Sequence, residues 1–469
     1  MSYSNFLQTK ERAFTHSGFV CNSINDRAKP FQIDIVSHAL KLGKYCIWAD
    51  TGMGKGFMLL AWADAVYRHT GRSVIVLAPL GVARQLVREA EKFCIDAPVK
   101  YCKEHAEVES GITITNYERL ASFDPLHFVG VVLDESSILK NSTGAICMSI
   151  IDAFKSTPYK LACSATPSPN DYSELGTQCE FLGVMSRVEM LASFFTHDGG
   201  DTSKWVLKGH AKSRFWEWVA IWAIVLRKPS DLGYSNDGYD LPPLKTIDIT
   251  IDTSVPTPEY ALFRFEAKSL TEQRELNRLT LADRIKSAAD IVNASDEQFV
   301  IWCETNIESE MLRKSIDGSV EVKGSDSPDH KEDSFAAFSG GTLRVLITKA
   351  KIAGMGMNWQ QCHNTIFVCA SHSFERTYQS IRRFYRYGQE SEVNAYFIRH
   401  ELEGAVQRNY MAKEMKSEVM YNGIVKIMTE VIKGEMAGLR RMRDDYNPTI
   451  LMNVPEWLES EPIDDSNDF

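Results

Sequence analysis

Short apolar runs alternate with amphipathic stretches through the first third of the chain. YCIWA, SVIVLA, GITIT and VGVVL are rich in β-branched and aliphatic residues, and segments such as GVARQLVREAEKF between them carry apolar residues three and four apart. A run that is apolar at every position fits a strand covered on both faces, so this alternation predicts βαβ units around a parallel sheet. From Phe299 the same rhythm restarts, with FVIWC, SVEV, LRVLIT, NTIFVCA and VNAYFIRH as strands between helical patterns. Two α/β domains of similar size are the expectation.

The pattern divides the chain into a first domain over 1–183, a helical insertion and linker over 184–255, a second domain over 256–443 and an acidic tail over 444–469. The insertion holds Trp205, Trp216, Trp218 and Trp222, then the turn-rich GYSNDGYDLPPL. WEWVAIWAIVL at helical spacing reads first as a core helix; the competing reading is a wedge or a platform on which bases stack.

Composition changes this picture little. At 469 residues, 44% hydrophobic and 24% charged, the chain is long enough for two or three domains and is not disordered as a whole. Its longest strongly apolar stretch, Trp218 to Leu226, is about half of what a bilayer span needs, and the N-terminal segment lacks the apolar core of a signal peptide. Ten scattered cysteines form no CxxC pair and no ligand cluster, so reduced thiols in a cytoplasm are expected, with Cys163, Cys303 and Cys369 as strand packing. The net charge of −10 comes mostly from the tail, which from Asp444 onward has acidic residues and no Lys or Arg. The remaining body is close to neutral, which neither demands nor forbids nucleic acid.

Chemistry enters where the first strand runs into DTGMGKG and then a helical pattern. A Gly-rich turn between a strand and a helix N-terminus presents clustered backbone N–H groups to phosphate oxygens, and Lys55 adds a charge. Two departures from the strict phosphate-loop pattern stand out: Ala49 replaces the first Gly, and Gly56 replaces the Ser or Thr whose hydroxyl ligates magnesium. By itself GMGK is compatible with an ordinary turn. The strand VGVVL, however, delivers Asp134 and Glu135 at its carboxyl end, where α/β sheets build their sites. Asp134 is suited to holding magnesium through its water shell, and Glu135 to polarising an attacking water. In RRFYR, Arg383 and Arg386 are three apart, so on a helix they share a face and can both reach a γ-phosphate held by the other domain. Alone, that run reads as a solvated basic helix.

With these residues in view the chain resembles the superfamily 2 helicases, and within them the Swi/Snf-type ATP-dependent DNA translocases. KPFQIDIV with Gln32 is similar to the family's adenine-reading segment, VLAPLGVARQLVREAEKF and ITNYERL to the blocks that touch nucleic acid, and DESSILKN to the DEAH-like motif with its LKN extension. LACSATPSPNDYSELG resembles the coupling motif, with Ser164, Ala165 and Thr166. KIAGMGMNWQQCHNTIFV is similar to the GGxGxNL block, matching Gly354, Gly356 and Asn358 with Trp359 for the usual Leu. QSIRRFYRYGQ resembles QAIGRxHRxGQ, with Gln379, Arg383, Arg386 and Gln389 in register and Arg382 in place of Gly. The order and spacing match over residues 30 to 400.

The resemblance implies an α/β fold of two RecA-like parallel-sheet domains with a helical insertion and an acidic C-terminal tail. It implies ATP and Mg2+ between the lobes, with Lys55, Asp134, Glu135, Arg383 and Arg386 catalytic. Gln32, Thr51, Gly52, Met53, Gly54, Lys55, Gly56, Gly356, Asn358 and Gln379 would bind ATP, and Asp134 the metal. DNA, double-stranded in the Swi/Snf branch, is the implied partner, with Pro79, Thr115, Lys140, Lys323 and Lys349 as candidate contacts. A protein partner on the insertion or tail is a further expectation; a membrane is not. Three alternatives stay open: a strand-separating DNA or RNA helicase, the motor of a restriction or repair assembly, and a nucleotide-gated DNA-binding scaffold without turnover, motivated by Gly56.

Overall fold

The computed structural model describes residues 17–21, 23–168, 171–198, 201–251, 270–353, 357–369 and 373–403, with residues 415 and 425. Gly354, Gly356, the Arg440, Arg441 and Arg443 cluster and the acidic tail lie outside the described residues.

Seven strands form the first sheet: β1 (Lys44–Ala49), β2 (Val74–Ala78), β3 (Val99–Tyr101), β4 (Ile112–Asn116), β5 (Gly130–Asp134), β6 (Tyr159–Ser164) and a later strand, β9 (Ala223–Leu226). All are parallel, in the order β3-β4-β2-β5-β6-β1-β9. Helices cover both faces, which is why β2, β4 and β5 are buried at every position. Helix Lys55–Thr70 packs Phe57, Met58, Leu59, Leu60 and Trp62 into this core. Helix Leu80–Lys92 inserts Val82, Ala83, Leu86 and Ala90, leaving its charged side chains outward or toward the cleft.

The second sheet is also parallel, in the order β10-β15-β14-β11-β13-β12. Its strands are β10 (Leu244–Ile251), β11 (Phe299–Trp302), β12 (Ser319–Glu321), β13 (Val345–Thr348), β14 (Asn364–Phe367) and β15 (Val393–His400). The chain thus folds as two RecA-like lobes. Inside the second, Arg284 is fully buried, with Nη1 donating to the carbonyls of Val368 (3.1 Å) and Ile398 (2.8 Å) and Nη2 paired with Glu403 at 2.8 Å. It fastens helix Leu281–Asn293 to the chain beyond β14 and within β15.

The segment 184–255, expected to be helical insertion and linker, is more mixed. It holds helices Arg187–Phe194 and Lys212–Ala220, but between them lies an antiparallel hairpin, β7 (Phe195–Asp198) with β8 (Asp201–Leu207). WVAIWAIVL does not continue as one helix. It breaks after Ala220, and Ala223–Leu226 becomes the edge strand of the first sheet, beside β1. Trp216 and Trp222 are buried, Trp222 edge-on to Trp48 at 5.5 Å, so packing rather than base stacking is their role. The chain then crosses to the second lobe, where β10 pairs with β15.

Candidate active site

The phosphate-loop turn is shaped by Gly52 and Gly54, at φ +89° and +81°, a region that L side chains disfavour. Gly54 caps helix Lys55–Thr70, whose free N–H groups face the cleft. Lys55 donates through Nζ to the carbonyl of Ala49 at 2.8 Å. Burial pulls its ammonium below the ordinary range, against the charges of Glu135, Asp50 and Asp134. Gln32 is buried and ties the loop down: its Nε2 donates to the Met53 carbonyl at 3.0 Å, and its Oε1 accepts from Lys29 N at 3.0 Å.

Asp134 ends β5, directly beside Cys163 of β6, and Tyr117 Oη donates to its carbonyl at 2.6 Å. Burial, then the neighbouring Glu135, raises the Asp134 carboxyl well above the usual carboxylate range. Glu135 turns the chain at φ 56°, ψ 55°, an uncommon left-handed conformation for a non-glycine residue, and its Oε2 is buried without a hydrogen bond.

The second lobe completes the cleft. Arg383 and Arg386 are not on a helical face: helix Phe374–Ile381 ends before them, and both lie in the turns that follow. Packing explains the break, because Phe384 is fully buried and Trp359 N bonds the Arg383 carbonyl at 3.0 Å. Both arginines still reach the cleft. Arg383 is held by the carbonyls of Gln379 (3.0 Å) and Met357 (3.3 Å), and Arg386 Nη1 by Asn358 Oδ1. Burial, then Arg386, lowers the Arg383 guanidinium to about 10.

One cleft of about 370 Å3 is lined by Lys55, Asp134 and Glu135 from the first lobe and Asn358, Arg383 and Arg386 from the second. Thr51, Gly52, Gly54 and Gly56 line it too. At the far end Lys29 Nζ sits 4.3 Å from the Tyr239 ring and 4.5 Å from that of Tyr387, with the two rings 4.8 Å apart. Two further contacts close the lobes. Arg382 pairs with Asp50 at 2.7 Å, and Tyr378 Oη donates to the same carboxylate at 2.8 Å. Burial opposes the Arg382 charge, but Asp50 and Tyr378 hold its pKa above the ordinary value.

Several expected residues fall elsewhere. Met53 buries its side chain in the core, and Gln379 is buried behind Arg383; neither lines the cleft. Gly356 lies outside the described residues. Thr115 is fully buried in β4, covered on both faces, so its side chain is withdrawn from any nucleic-acid surface. Pro79 precedes helix Leu80–Lys92, and Lys140 is exposed. Lys323 is engaged by Glu310 (3.2 Å) and Glu321 (3.1 Å), and Lys349 by Asn306. Ser164 ends β6 opposite Trp48, its Oγ accepting from Thr166 N at 3.0 Å, and Ala165 lies between them.

Sequence reading missed Gln178. Its Oε1 accepts from Trp48 Nε1 (3.0 Å) and Ser136 Oγ (3.3 Å), and its Nε2 donates to the Pro167 carbonyl (2.7 Å). One buried amide thereby joins the phosphate-loop strand, the turn after Glu135 and the turn after Thr166. Lys29, Tyr239 and Tyr387 were missed as well, because no local spacing marks an aromatic pair 148 residues apart.

A cleft lined by Lys55, Arg383 and Arg386 together with the carboxylates of Glu89, Asp134 and Glu135 suits a polyanion accompanied by a metal ion. Among the described residues, no three His, Cys, Asp or Glu side chains converge closely enough to hold an ion alone. The buried, unbonded Glu135 Oε2 beside Asp134 fits a cation that brings most of its oxygens with it on phosphates.

The model of the DEAD/DEAH box helicase family matches residues 29–175, and that of the helicase conserved C-terminal domain matches residues 283–388. An uncharacterized ATP-dependent helicase, YqhH, of Bacillus subtilis (strain 168) is 21% identical over 457 residues, covering 86% of this chain and 81% of that protein. Among solved structures, a Sulfolobus solfataricus SWI2/SNF2 ATPase core in complex with dsDNA matches at 16% identity and a TM-score of 0.43, covering 90% of this chain and 98% of that one.

Proposed function

Because the chain belongs to the superfamily 2 helicases, whose ATPase it carries in two lobes, we propose that it hydrolyses ATP in the interlobe cleft to move along duplex DNA and remodel DNA or protein–DNA complexes. The observation that carries this reading is that the phosphate loop, the Asp134–Glu135 pair and two arginines from the other lobe line one cleft. Lys55 and the loop N–H groups bind the β and γ phosphates. Glu135 accepts a proton from the attacking water, and Arg383 and Arg386 stabilise charge on the transferring phosphoryl group. Asp134 holds magnesium through its water shell, and when bound that ion neutralises the phosphates. The ring pair Tyr239 and Tyr387, with Lys29, accommodates the base end.

Arginines from one lobe complete a site built on the other, so ATP favours closure and ADP with phosphate favours release. Duplex DNA is the preferred track because DESSILKN and QSIRRFYRYGQ resemble Swi/Snf motifs. Contacts to backbone phosphates make binding sequence-tolerant and salt-sensitive. The hairpin β7–β8, which exposes Thr196, His197, Lys204 and Val206, favours a second reading, strand separation, since an exposed hairpin is a means of splitting a duplex; an unwinding assay on a tailed duplex distinguishes it.

The test is steady-state ATP hydrolysis with no nucleic acid, closed circular duplex, single-stranded DNA or RNA. Closed duplex is expected to stimulate turnover most, and Lys55→Ala to lower it by about 100-fold. Preference for single strands or RNA would move the assignment to a helicase, and no turnover on any of them would leave a nucleotide-gated scaffold.

A further inference from the structure

Gly56 stands where a phosphate loop ordinarily carries a Ser or Thr, and the space that side chain would fill is taken. A Cβ built on Gly56 would overlap Glu89 Oε2. Glu89 belongs to helix Leu80–Lys92, a different element, and lines the same cleft as Asp134, Glu135 and Lys55. Its other oxygen is fixed: Gln85, one turn earlier, donates through Nε2 to Glu89 Oε1 at 2.7 Å. One carboxylate oxygen is therefore anchored while its twin is turned into the vacated place. In the same cleft, Glu135 Oε2 and Thr51 Oγ1 are buried without hydrogen-bond partners, so its lining holds oxygens available to a cation and its water.

We propose that Glu89 is a cation-positioning residue: through a water of the ion's shell, its Oε2 supplies the oxygen that Gly56 lacks, so that the divalent cation of a bound nucleotide is steadied by Asp134 and Glu89. The proposal rests on the reading that this cleft binds nucleotide with a divalent cation. Magnesium keeps several waters in nucleotide sites and is steadied by carboxylates acting through them, so a carboxylate in place of a hydroxyl is chemically sufficient. It also accounts for the tolerance of Gly56. A Ser or Thr there would require the Glu89 carboxylate to move aside, whereas Gly56 leaves it in place.

The experiment is Mn2+ binding followed by electron paramagnetic resonance in the presence of saturating ADP, alongside binding of a fluorescent ATP analogue in EDTA. Failure of the wild type to bind the analogue both in EDTA and with a divalent cation would sink the nucleotide-site reading itself. With nucleotide bound, Glu89→Gln is expected to weaken Mn2+ by about 10-fold, the loss seen when an outer ligand is removed, while leaving metal-free analogue binding unchanged. Gln85→Ala, which only frees the carboxylate, is expected to lose about threefold by the same logic. Gly56→Ser combined with Glu89→Ala is expected to recover Mn2+ affinity relative to Glu89→Ala alone. Unchanged Mn2+ affinity in Glu89→Gln, or a double variant no better than Glu89→Ala, would overturn the proposal. Unchanged metal-free analogue binding serves as the control that each variant retains its cleft.

Discussion

Arg382 occupies a position where the resembled motif carries glycine, and the structure supplies its partner 332 residues away, Asp50 at the end of the first strand. The pair is largely buried and is shared with Tyr378 and the Thr51 backbone N–H, so removing the guanidinium leaves a carboxylate with neutral donors only. Arg382→Gly is expected to cost lobe closure about 3 kcal/mol, the lower range for breaking a buried pair. Small-angle scattering or an interlobe fluorescence pair, measured without nucleotide, should report a wider separation. A second residue-scale expectation concerns Lys160, nearly fully buried with Nζ donating to the Phe181 carbonyl at 2.7 Å. Burial, aided by Lys44, lowers its pKa to about 7 from 10.5. Between those values the unfolded chain binds a proton that the folded chain does not, so stability rises with pH across that window and is flat below it. Lys160→Met should flatten this slope, read as urea midpoints at pH 7 and pH 9.5. That Lys55, Asp134 and Glu135 come together in one cleft was legible in the sequence, because each sits at or just beyond the carboxyl end of a strand. The partners of Arg382, Glu89 and Gln178 were not, since each lies on an element that only tertiary folding brings near.

At the scale of elements, central strands such as β2, β5 and β11 were legible because they are buried at every position, whereas β3 and β10, which carry polar residues and are more exposed, were not. WVAIWAIVL has the composition of a buried helix or a buried strand, and what decides is the open edge of β1, which draws Ala223–Leu226 into the sheet. Helix Phe374–Ile381 stops short because Phe384 must enter the second core next to Trp359. The arginine spacing of three was therefore right for the site and wrong for its geometry. Arg284 is the corresponding fastening in the second lobe, where a single guanidinium joins helix Leu281–Asn293 to two backbone carbonyls and Glu403. Glu403→Ala strands that charge in the core, and a loss of about 3–5 kcal/mol is expected for the lobe. Calorimetry should show the second lobe melting earlier while the first keeps its transition.

Among the described residues, the two large parallel sheets are linked by the segment that runs from β9 at an edge of the first to β10 at an edge of the second. Between these strands the segment passes the cleft and contributes Tyr239, which meets Tyr387 of the second lobe and Lys29 of the first. The crossing is thus more than a tether. Because Tyr239 lies on the connecting segment itself, this three-residue contact ties that segment to both lobes within the lining of the cleft.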